Sequence, residues 1–270
     1  MKYIKRFDTL SGQTEYLNSA DIDTYVGYVD ENQTLYYDDA IPEPAPYSQD
    51  YMTFVAEDDN LTIGLAYAEE NVFQYSTDSG ATWSDLTNNE STSSVNSGET
   101  IMFKASGLTK HSYYGIGVLT PSVNASVQGN IMSLVYGDNF ARKTSLEIDS
   151  QFTTLFWKAT KLTSAENLIM PATTLTGGCY REMFNGCTSL TTAPVLPATT
   201  LIGHCYFWMF QGCTSLNYIK CLATDISARY CTDGWVSSVA STGTFVKAAS
   251  MNDWGTGKNG IPNNWTIENE

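Results

Sequence analysis

The chain has no basic residue between Arg6 and Lys104, although 19 carboxylates lie in that interval. Over its whole length 29 acidic side chains face 14 basic ones, which gives a net charge of −15. Nucleic-acid binding needs a basic footprint that neutralises phosphates, so that class of function is excluded. We interpret the acidic half as a solvated surface that resists aggregation. A calcium site at Glu57, Asp58 and Asp59 stays open as an alternative, without EF-hand spacing to support it.

Long hydrophobic runs are absent as well, so no transmembrane helix is available and no membrane insertion is expected. The opening residues 1–12 are basic but carry no apolar run of signal-peptide length. We therefore expect a protein that is made in a cytoplasm and either stays there or leaves inside something larger. Disorder is excluded, because 42% of the residues are apolar and 13% are aromatic.

Residues that commonly carry catalysis are scarce. Only two histidines occur, His111 and His204, and neither has a local triad signature. Residues 255–260 match G-x-G-x-x-G, but they follow no strand and open no helix, so we interpret them as a turn. No cysteine pair has C-x-x-C spacing. We predict that the protein is not an enzyme and assign it no catalytic residue, cofactor or metal.

Residues 76–83, Ser-Thr-Asp-Ser-Gly-Ala-Thr-Trp, match the Asp-box pattern of sialidases. That motif is a hairpin device, in which the Asp side chain bonds turn amides, the Gly takes a positive φ and the Trp packs beneath. Propeller sialidases carry several copies and an arginine triad. This chain has one copy, and its four arginines are scattered over distant segments. We predict a structural hairpin here and not a glycosidase site.

A segment near the C-terminus is repeated almost unchanged, with Met-Phe-x-Gly-Cys-Thr-Ser-Leu at 183–190 and again at 209–216. The 26-residue step also relates Cys179, Cys205 and Cys231, and degenerate copies precede and follow. Self-similarity at this period predicts a solenoid, in which each unit buries its apolar face against its neighbours. Five of the six cysteines sit at repeated positions, which favours reduced core residues, with a disulfide or a metal site as weaker alternatives.

The predicted fold is multidomain and mainly β. Residues 1–47 form a small helix-hairpin unit with a Pro linker: a short helix within Asp8–Leu17, a hairpin of Tyr25–Val29 with Thr34–Tyr37, and prolines from Pro42 to Pro46. Residues 48–140 carry eight candidate strands at the spacing of a β-sandwich, among them Tyr114–Leu119 and, as the last, Ile131–Tyr136. The solenoid follows at 141–235, and residues 236–270 form its C-terminal cap.

The two best repeats differ at positions that we expect to point outward. Between the copies Gly178 becomes His204, and residues 181–182 become residues 207–208. We predict an exposed run of Tyr206, Phe207 and Trp208 that serves recognition, with packing of these rings on the cap or on a partner chain as the alternative. The candidate ligand-binding residues are Tyr180, Arg181, Glu182, His204, Tyr206, Phe207 and Trp208.

The repeat motif, with Leu-Pro-Ala-Thr-Thr-Leu at 196–201, resembles the BspA-like leucine-rich repeat proteins, although the period of 26 is longer than their usual spacing. The segment before it, with residues 75–83 and 127–140, looks like the domain that precedes such repeats in proteins of gut Bacteroidales and their phages. The opening residues are similar to a leader on tail- and fibre-type phage proteins. The resemblance implies surface adhesion.

Together these observations favour a non-enzymatic phage virion appendage, a tail or head fibre or decoration protein assembled in the host cytoplasm. We expect residues 1–47 to bind other virion proteins and the repeats to bind a host-surface glycan or protein. A homo-oligomer is expected, with a trimer as one form. The alternatives are a BspA-like adhesin on a bacterial cell surface and, less favoured, a glycan-processing enzyme.

Overall fold

The computed structural model describes residues 50–108, 112–252 and 254–270, together with the backbone of four strands near the N-terminus. The chain divides into two compact units, Met1–Ala45 and Pro46–Glu270. Within the described residues the architecture is mainly β, with several sheets and little helix. The predicted proline linker at 42–46 lies outside the described residues.

The N-terminal unit is a four-stranded antiparallel sheet in chain order. Its strands are β1 (Tyr3–Phe7), β2 (Thr14–Asn18), β3 (Tyr25–Val29) and β4 (Leu35–Tyr36). The predicted hairpin is confirmed, since Tyr28 pairs with Tyr36. The helix predicted within Asp8–Leu17 is wrong, because β2 pairs with strands on both of its sides. Sheet pairing satisfies its backbone groups and overrides the capping signals before it.

The first half of the larger unit forms two sheets. Its strands are β5 (Met52–Ala56), β6 (Ile63–Ala66), β7 (Phe73–Ser76), β8 (Ser84–Leu86), β9 (Thr100–Lys104), β10 (Val118–Pro121) and β11 (Ala125–Asn130). In the larger sheet the order is β8-β7-β9-β5-β11, and β6 pairs with β10 in the smaller one. Phe54, Phe103 and Leu65, drawn from both sheets, belong to one buried core.

Two of the predicted strands in this half are misplaced. Residues 131–136, predicted as a strand, instead contain the short helix α1 (Ser133–Tyr136). The Ser133 hydroxyl accepts a bond from the Met52 N–H at 3.0 Å and donates to the Phe103 carbonyl at 2.9 Å, which ties this turn to β5 and β9. A strand predicted to begin at Tyr114 begins only at Val118, after a 3₁₀ turn over Ser112–Tyr114.

The repeats contain four arcs of successive turns, which we number arc 1 (150–158), arc 2 (178–186), arc 3 (204–212) and arc 4 (230–238). Every fourth residue of an arc has positive φ, so the chain bends repeatedly and forms neither a helix nor a strand. These positions are Ser150, Thr154, Lys158, Gly178, Glu182, Gly186, His204, Trp208, Gly212, Tyr230, Gly234 and Ser238. Equivalent positions lie 28 residues apart between arcs 1 and 2 and 26 apart thereafter.

Backbone N–H groups in the arcs alternate between two kinds of partner. The Tyr180 N–H donates to the Cys205 carbonyl of the next arc at 3.1 Å, and the Tyr206 N–H donates to Cys231 in the arc after that at 2.8 Å. The intervening Arg181 N–H bonds locally to the Gly178 carbonyl at 3.0 Å. Each arc is thereby held to its neighbours at every second residue, and its buried amides are satisfied.

Side chains at equivalent positions stack from arc to arc inside the core. Phe184 lies between Phe156 and Phe210, with ring centroids 5.3 and 5.5 Å away. All six cysteines are buried and free, so the predicted reduced core is confirmed. The Cys187 thiol donates to the Phe156 carbonyl at 3.0 Å and Cys213 repeats this bond to Phe184.

A parallel ladder runs from the first half of the unit through the repeats into the tail. It uses β12 (Leu162–Ser164), β13 (Leu168–Ile169), β14 (Tyr218–Cys221), β15 (Thr244–Lys247) and β16 (Thr266–Asn269). Successive partners along one rung are Ser126, Ser164, Thr192, Tyr218, Thr244 and Thr266. One core therefore continues across the predicted boundary at residue 140.

The tail packs on arc 4. The Trp235 indole donates to the Gly260 carbonyl at 2.8 Å and stacks on Trp254 at 5.5 Å. The Trp265 indole donates to Ala240 at 2.8 Å. Gly255–Gly260 forms the predicted turn, in which a Cβ on Gly260 would lie 2.0 Å from the Gly255 carbonyl oxygen.

Candidate functional site: an aromatic ridge

Two of the seven candidate ligand-binding residues are buried. Tyr180 and Tyr206 are each 1% exposed, so the prediction that Tyr206 is exposed is wrong. Their rings stack between Phe152 and Trp235, with centroid distances of 5.7, 6.2 and 6.2 Å. A tyrosine that recurs from coil to coil is a core residue here, and burial raises the pKa of both phenols.

Glu182 is also buried, with 4% exposure, and it holds a polar contact at the edge of arc 2. Its carboxylate accepts bonds from the Arg181 Nε at 3.1 Å and from the Tyr113 hydroxyl. Burial, followed by this hydrogen bond, raises the pKa of Tyr113 to about 12. A buried carboxylate needs such partners, and together they fix the position of Arg181.

Arg181 links two rings that come from distant parts of the sequence. Its guanidinium carbon lies 4.9 Å from the Tyr113 ring centroid and 5.0 Å from that of Phe207. Cation–π contacts of this length are attractive, and the planar guanidinium stacks on each ring. Arg181 thus joins the 3₁₀ turn before β10 to arc 3.

Beyond Phe207 the rings continue toward arc 4. Phe207 lies 4.5 Å from Trp208 and 5.8 Å from His204. His204 in turn lies 5.2 Å from Tyr230. The Arg229 guanidinium covers the Tyr230 ring at 4.5 Å and donates to its hydroxyl at 2.9 Å.

In the other direction the rings continue from Tyr113 onto the first half of the unit. Tyr113 contacts Tyr114 at 5.4 Å, and Tyr114 stacks on Tyr67 at 4.0 Å. Trp157 lies 5.8 Å from Tyr114, and the Lys158 Nζ lies 4.1 Å above the Trp157 ring. We call the whole surface the aromatic ridge: Tyr67, Tyr113, Tyr114, Trp157, Lys158, Arg181, His204, Phe207, Trp208, Arg229 and Tyr230.

Several ridge residues adopt a backbone conformation that side chains disfavour. Tyr67, Lys158, His204, Trp208 and Tyr230 all have φ between 53° and 62°. A left-handed conformation costs a non-glycine residue about 1–2 kcal/mol. At Lys158, His204, Trp208 and Tyr230 it is the bend that every fourth residue of an arc makes. Tyr67, Tyr113 and Tyr230 are 46%, 42% and 45% exposed, which is high for rings of this size.

Sequence comparison of the repeats found part of this ridge and missed the rest. The difference between Gly178 and His204 lies at one position of the repeat, and the equivalent residue of the next arc is Tyr230, which also belongs to the ridge. Tyr67 and Tyr113 lie outside the repeats, and Trp157 lies in arc 1, outside the two best copies that supplied the candidates. Tertiary contacts bring Tyr113 to Arg181 and join Tyr67 and Trp157 to Tyr113 through Tyr114.

The predicted hairpin at residues 76–83 is confirmed. The Asp78 carboxylate accepts bonds from the Thr82 N–H at 2.9 Å, from the Thr82 hydroxyl at 2.6 Å and from the Ser76 hydroxyl at 2.7 Å. These bonds, those of Thr82 first, lower the pKa of Asp78 to about 2. Gly80 has a φ of 84°, and a Cβ there would lie 3.6 Å from the Trp83 ring.

The three acidic residues considered for calcium point to separate partners. Glu57 accepts a bond from the Thr163 hydroxyl, Asp58 from the Asn124 N–H and Asp59 from the Ser97 N–H. Within the described part of the chain, no three His, Cys, Asp or Glu side chains are grouped as metal ligands.

Comparison of the chain with protein-family models, with curated proteins and with solved structures gave no match. Among residues 50–108, 112–252 and 254–270, and in the four N-terminal strands, no helix is both long and apolar enough to cross a bilayer.

Proposed function

We propose that the protein is a non-enzymatic adhesin of a phage virion, a fibre or decoration protein of tail or head, whose aromatic ridge binds a host-surface glycan. The observation that carries the proposal is the unbroken series of ring and cation contacts from Tyr67 to Arg229, with three tyrosines more than 40% exposed. Exposed rings of this kind stack on the apolar faces of sugars, and their polar tips remain hydrated.

We further propose that the repeats are a BspA-like leucine-rich-repeat solenoid, which serves as the rigid support of the ridge. The alternating inter-arc bonds and the stacked phenylalanines are what such a solenoid requires, since each unit buries its apolar face against the next. Sites on a rigid scaffold keep their geometry, and a flat extended wall suits a polymer better than a small substrate.

The virion location is proposed from the resemblance of the opening residues and of residues 75–140 to phage proteins. In this proposal the sheet of β1 to β4 binds other virion proteins, and the chain assembles as a homo-oligomer. A BspA-like adhesin on a bacterial cell surface remains the second candidate. The two candidates share the same ligand-binding surface and differ only in what carries it.

Binding of labelled full-length protein to a panel of gut Bacteroidales cells tests the proposed adhesion. We expect saturable binding to some strains and at least about a tenfold loss with Tyr230→Ser or Phe207→Ser, because ring stacking contributes about 1–3 kcal/mol. Ile267→Ser is the matched control, since Ile267 is 46% exposed on β16 and belongs to a different surface. Binding to no strain, or equal loss in the control, would refute ridge-mediated adhesion.

Phage adsorption distinguishes the virion from the cell surface. Antibodies raised against residues 150–270 should block adsorption of a phage that encodes this chain, and immunogold labelling should decorate the virion. Labelling of uninfected bacterial cells instead would support the bacterial adhesin.

A further inference from the structure

We infer that the ridge recognises an acidic polysaccharide, through sugar rings that carry a carboxylate. This inference rests on the proposed adhesion and names its ligand class. It follows from two ridge cations, Lys158 and Arg229, which lie over aromatic rings and have no carboxylate partner among the residues that the structure describes.

The ion pairs of the described residues leave these two cations out. Those pairs are Lys104–Asp138, Arg181–Glu182 and Lys220–Glu270. Lys158 contacts the Trp157 ring, and Arg229 contacts the ring and hydroxyl of Tyr230. The chain has 29 carboxylates and only 14 basic residues, so most cations would be expected to have a carboxylate neighbour. Lys143, Lys161 and Lys258 are also outside these ion pairs and lie elsewhere, whereas Lys158 and Arg229 lie on the ridge.

Each of these cations lies over a ring at the surface, so a sugar that contacts the exposed part of the ring also lies close to the cation. The Lys158 Nζ lies 4.1 Å from the Trp157 ring centroid, and the Arg229 guanidinium lies 4.5 Å from that of Tyr230. A pyranose placed against either ring would bring a ring carboxylate within reach of the cation. Arginine binds carboxylates with two parallel hydrogen bonds, and bonds to charged groups are stronger than neutral ones.

Arg181 differs from these two cations and provides an internal comparison. Its charge is balanced by the buried Glu182 carboxylate at 3.1 Å, and its guanidinium is held between Tyr113 and Phe207. Arg181 therefore organises the middle of the ridge, whereas Lys158 and Arg229 keep their charge available for a ligand. Two separated cations suit a polymer that repeats its acidic group along the chain.

The net charge of −15 makes this arrangement selective. A protein with so many carboxylates repels polyanions over most of its surface. The ridge, where Lys158 and Arg229 lie over aromatic rings, then offers an acidic polymer both cations and rings. Neutral polysaccharides would use the rings alone and gain nothing from Lys158 or Arg229.

The test uses full-length protein and two carboxylated probes, polygalacturonate and polysialic acid, each beside its carboxyl-reduced neutral form. We expect calorimetry at low salt to detect at least one carboxylated probe and to show at least about tenfold weaker binding of its reduced form. Arg229→Gln and Lys158→Gln should each weaken binding of the carboxylated probe about tenfold, and Arg229→Lys should recover part of the loss. Which probe binds distinguishes uronic from sialic acids.

Lys220→Gln is the charge-matched control, because Lys220 pairs with Glu270 at 2.7 Å and should leave binding unchanged. Circular dichroism of each variant establishes that it is folded. Cell binding without binding of either probe, or equal binding of native and reduced probes, would overturn the acidic-ligand inference and leave the proposed adhesion standing. Absence of binding to cells and to all four probes would remove both.

Discussion

The Trp208 indole of arc 3 lies directly on the backbone of Gly234 in arc 4. A Cβ at residue 234 would be 2.5 Å from Trp208 Cδ1 and 2.6 Å from Nε1, closer than side-chain carbons come to one another. Gly234 also has a φ of 62°. The residue that follows Trp208 by one repeat is therefore glycine for both steric and conformational reasons, and this contact fixes one end of the aromatic ridge.

Gly234→Ala should destabilise the protein by about 2–4 kcal/mol, the sum of a left-handed alanine and an overpacked contact. Gly212→Ala is the control: it has a φ of 76°, but the nearest atoms to its Cβ are 3.7 Å away, so only the backbone cost of about 1 kcal/mol remains. Urea unfolding measures both. The double variant Trp208→Ala/Gly234→Ala should recover the steric part, and equal losses at 234 and 212 would contradict the contact.

Glu182→Gln should lower the pKa of Tyr113 from about 12 part of the way toward 10, because burial remains and the carboxylate is gone. Since this pKa is raised by folding, its contribution to stability is complete below pH 10 and is lost as the pH rises toward 12. NMR titration of the tyrosine ring carbons measures the pKa, with Tyr113→Phe identifying the signal. Glu166→Gln, at an exposed turn, should leave it unchanged.

Asp78→Asn should make the free energy of unfolding less dependent on pH in the acidic range. The Asp78 pKa falls from 3.8 to about 2 on folding, so its contribution is present above pH 3.8 and is lost as the pH falls toward 2. Urea midpoints at pH 5 and pH 2.5 should therefore differ less in this variant than in the parent protein. Asp85→Asn, in the same hairpin, keeps an oxygen that accepts the single bond from Gln74 and should keep the parental difference.

All six thiols should resist modification in the folded protein. They are buried, and burial raises the pKa of each thiol, so little thiolate is present at neutral pH. Labelling with a chromogenic disulfide reagent should detect none in native buffer and six in denaturant. Thr214→Cys places a thiol at an exposed position and should react at once. Fast native labelling of the parent protein would argue against the stacked core.

The repeat period identified the parts of the fold that depend on local self-similarity. Cys179, Cys205 and Cys231 do lie on successive arcs, joined by the bonds from Tyr180 and Tyr206. The left-handed conformation at every fourth residue of an arc was not predicted, because side chains such as Glu182 and Trp208 occupy positions where glycine is expected. Hydrogen bonds between arcs hold these residues in place, and such long-range bonds cannot be read from a local segment of sequence.

The predictions were wrong where tertiary contacts determine the backbone conformation or the burial of a side chain. Residues 131–136 have the composition of a strand, yet they contain helix α1. The hydroxyl of Ser133, the first residue of this helix, forms hydrogen bonds to β5 and β9. Tyr206 was expected outside because it adjoins Phe207 and Trp208, but it occupies the inward position of its arc. Phe207 and His204, which were expected to point outward, are half-buried. Tyr113 and Tyr67, at the other end of the ridge, come from another part of the chain.

The backbone bonds between arcs repeat in the same register from arc 2 to arc 3 and from arc 3 to arc 4, so the 26-residue unit is a structural module. An N–H of arc 2 donates to the carbonyl one residue before its equivalent position in arc 3, as Tyr180 does to Cys205. An N–H of arc 3 donates in the same way to arc 4, as Tyr206 does to Cys231. Deleting or duplicating one 26-residue unit would therefore preserve the pattern of backbone hydrogen bonds between neighbouring arcs and their register. Such a chain lengthens its outer wall by whole units, and gene duplication alone is enough to extend the reach of the ridge without redesigning the interior.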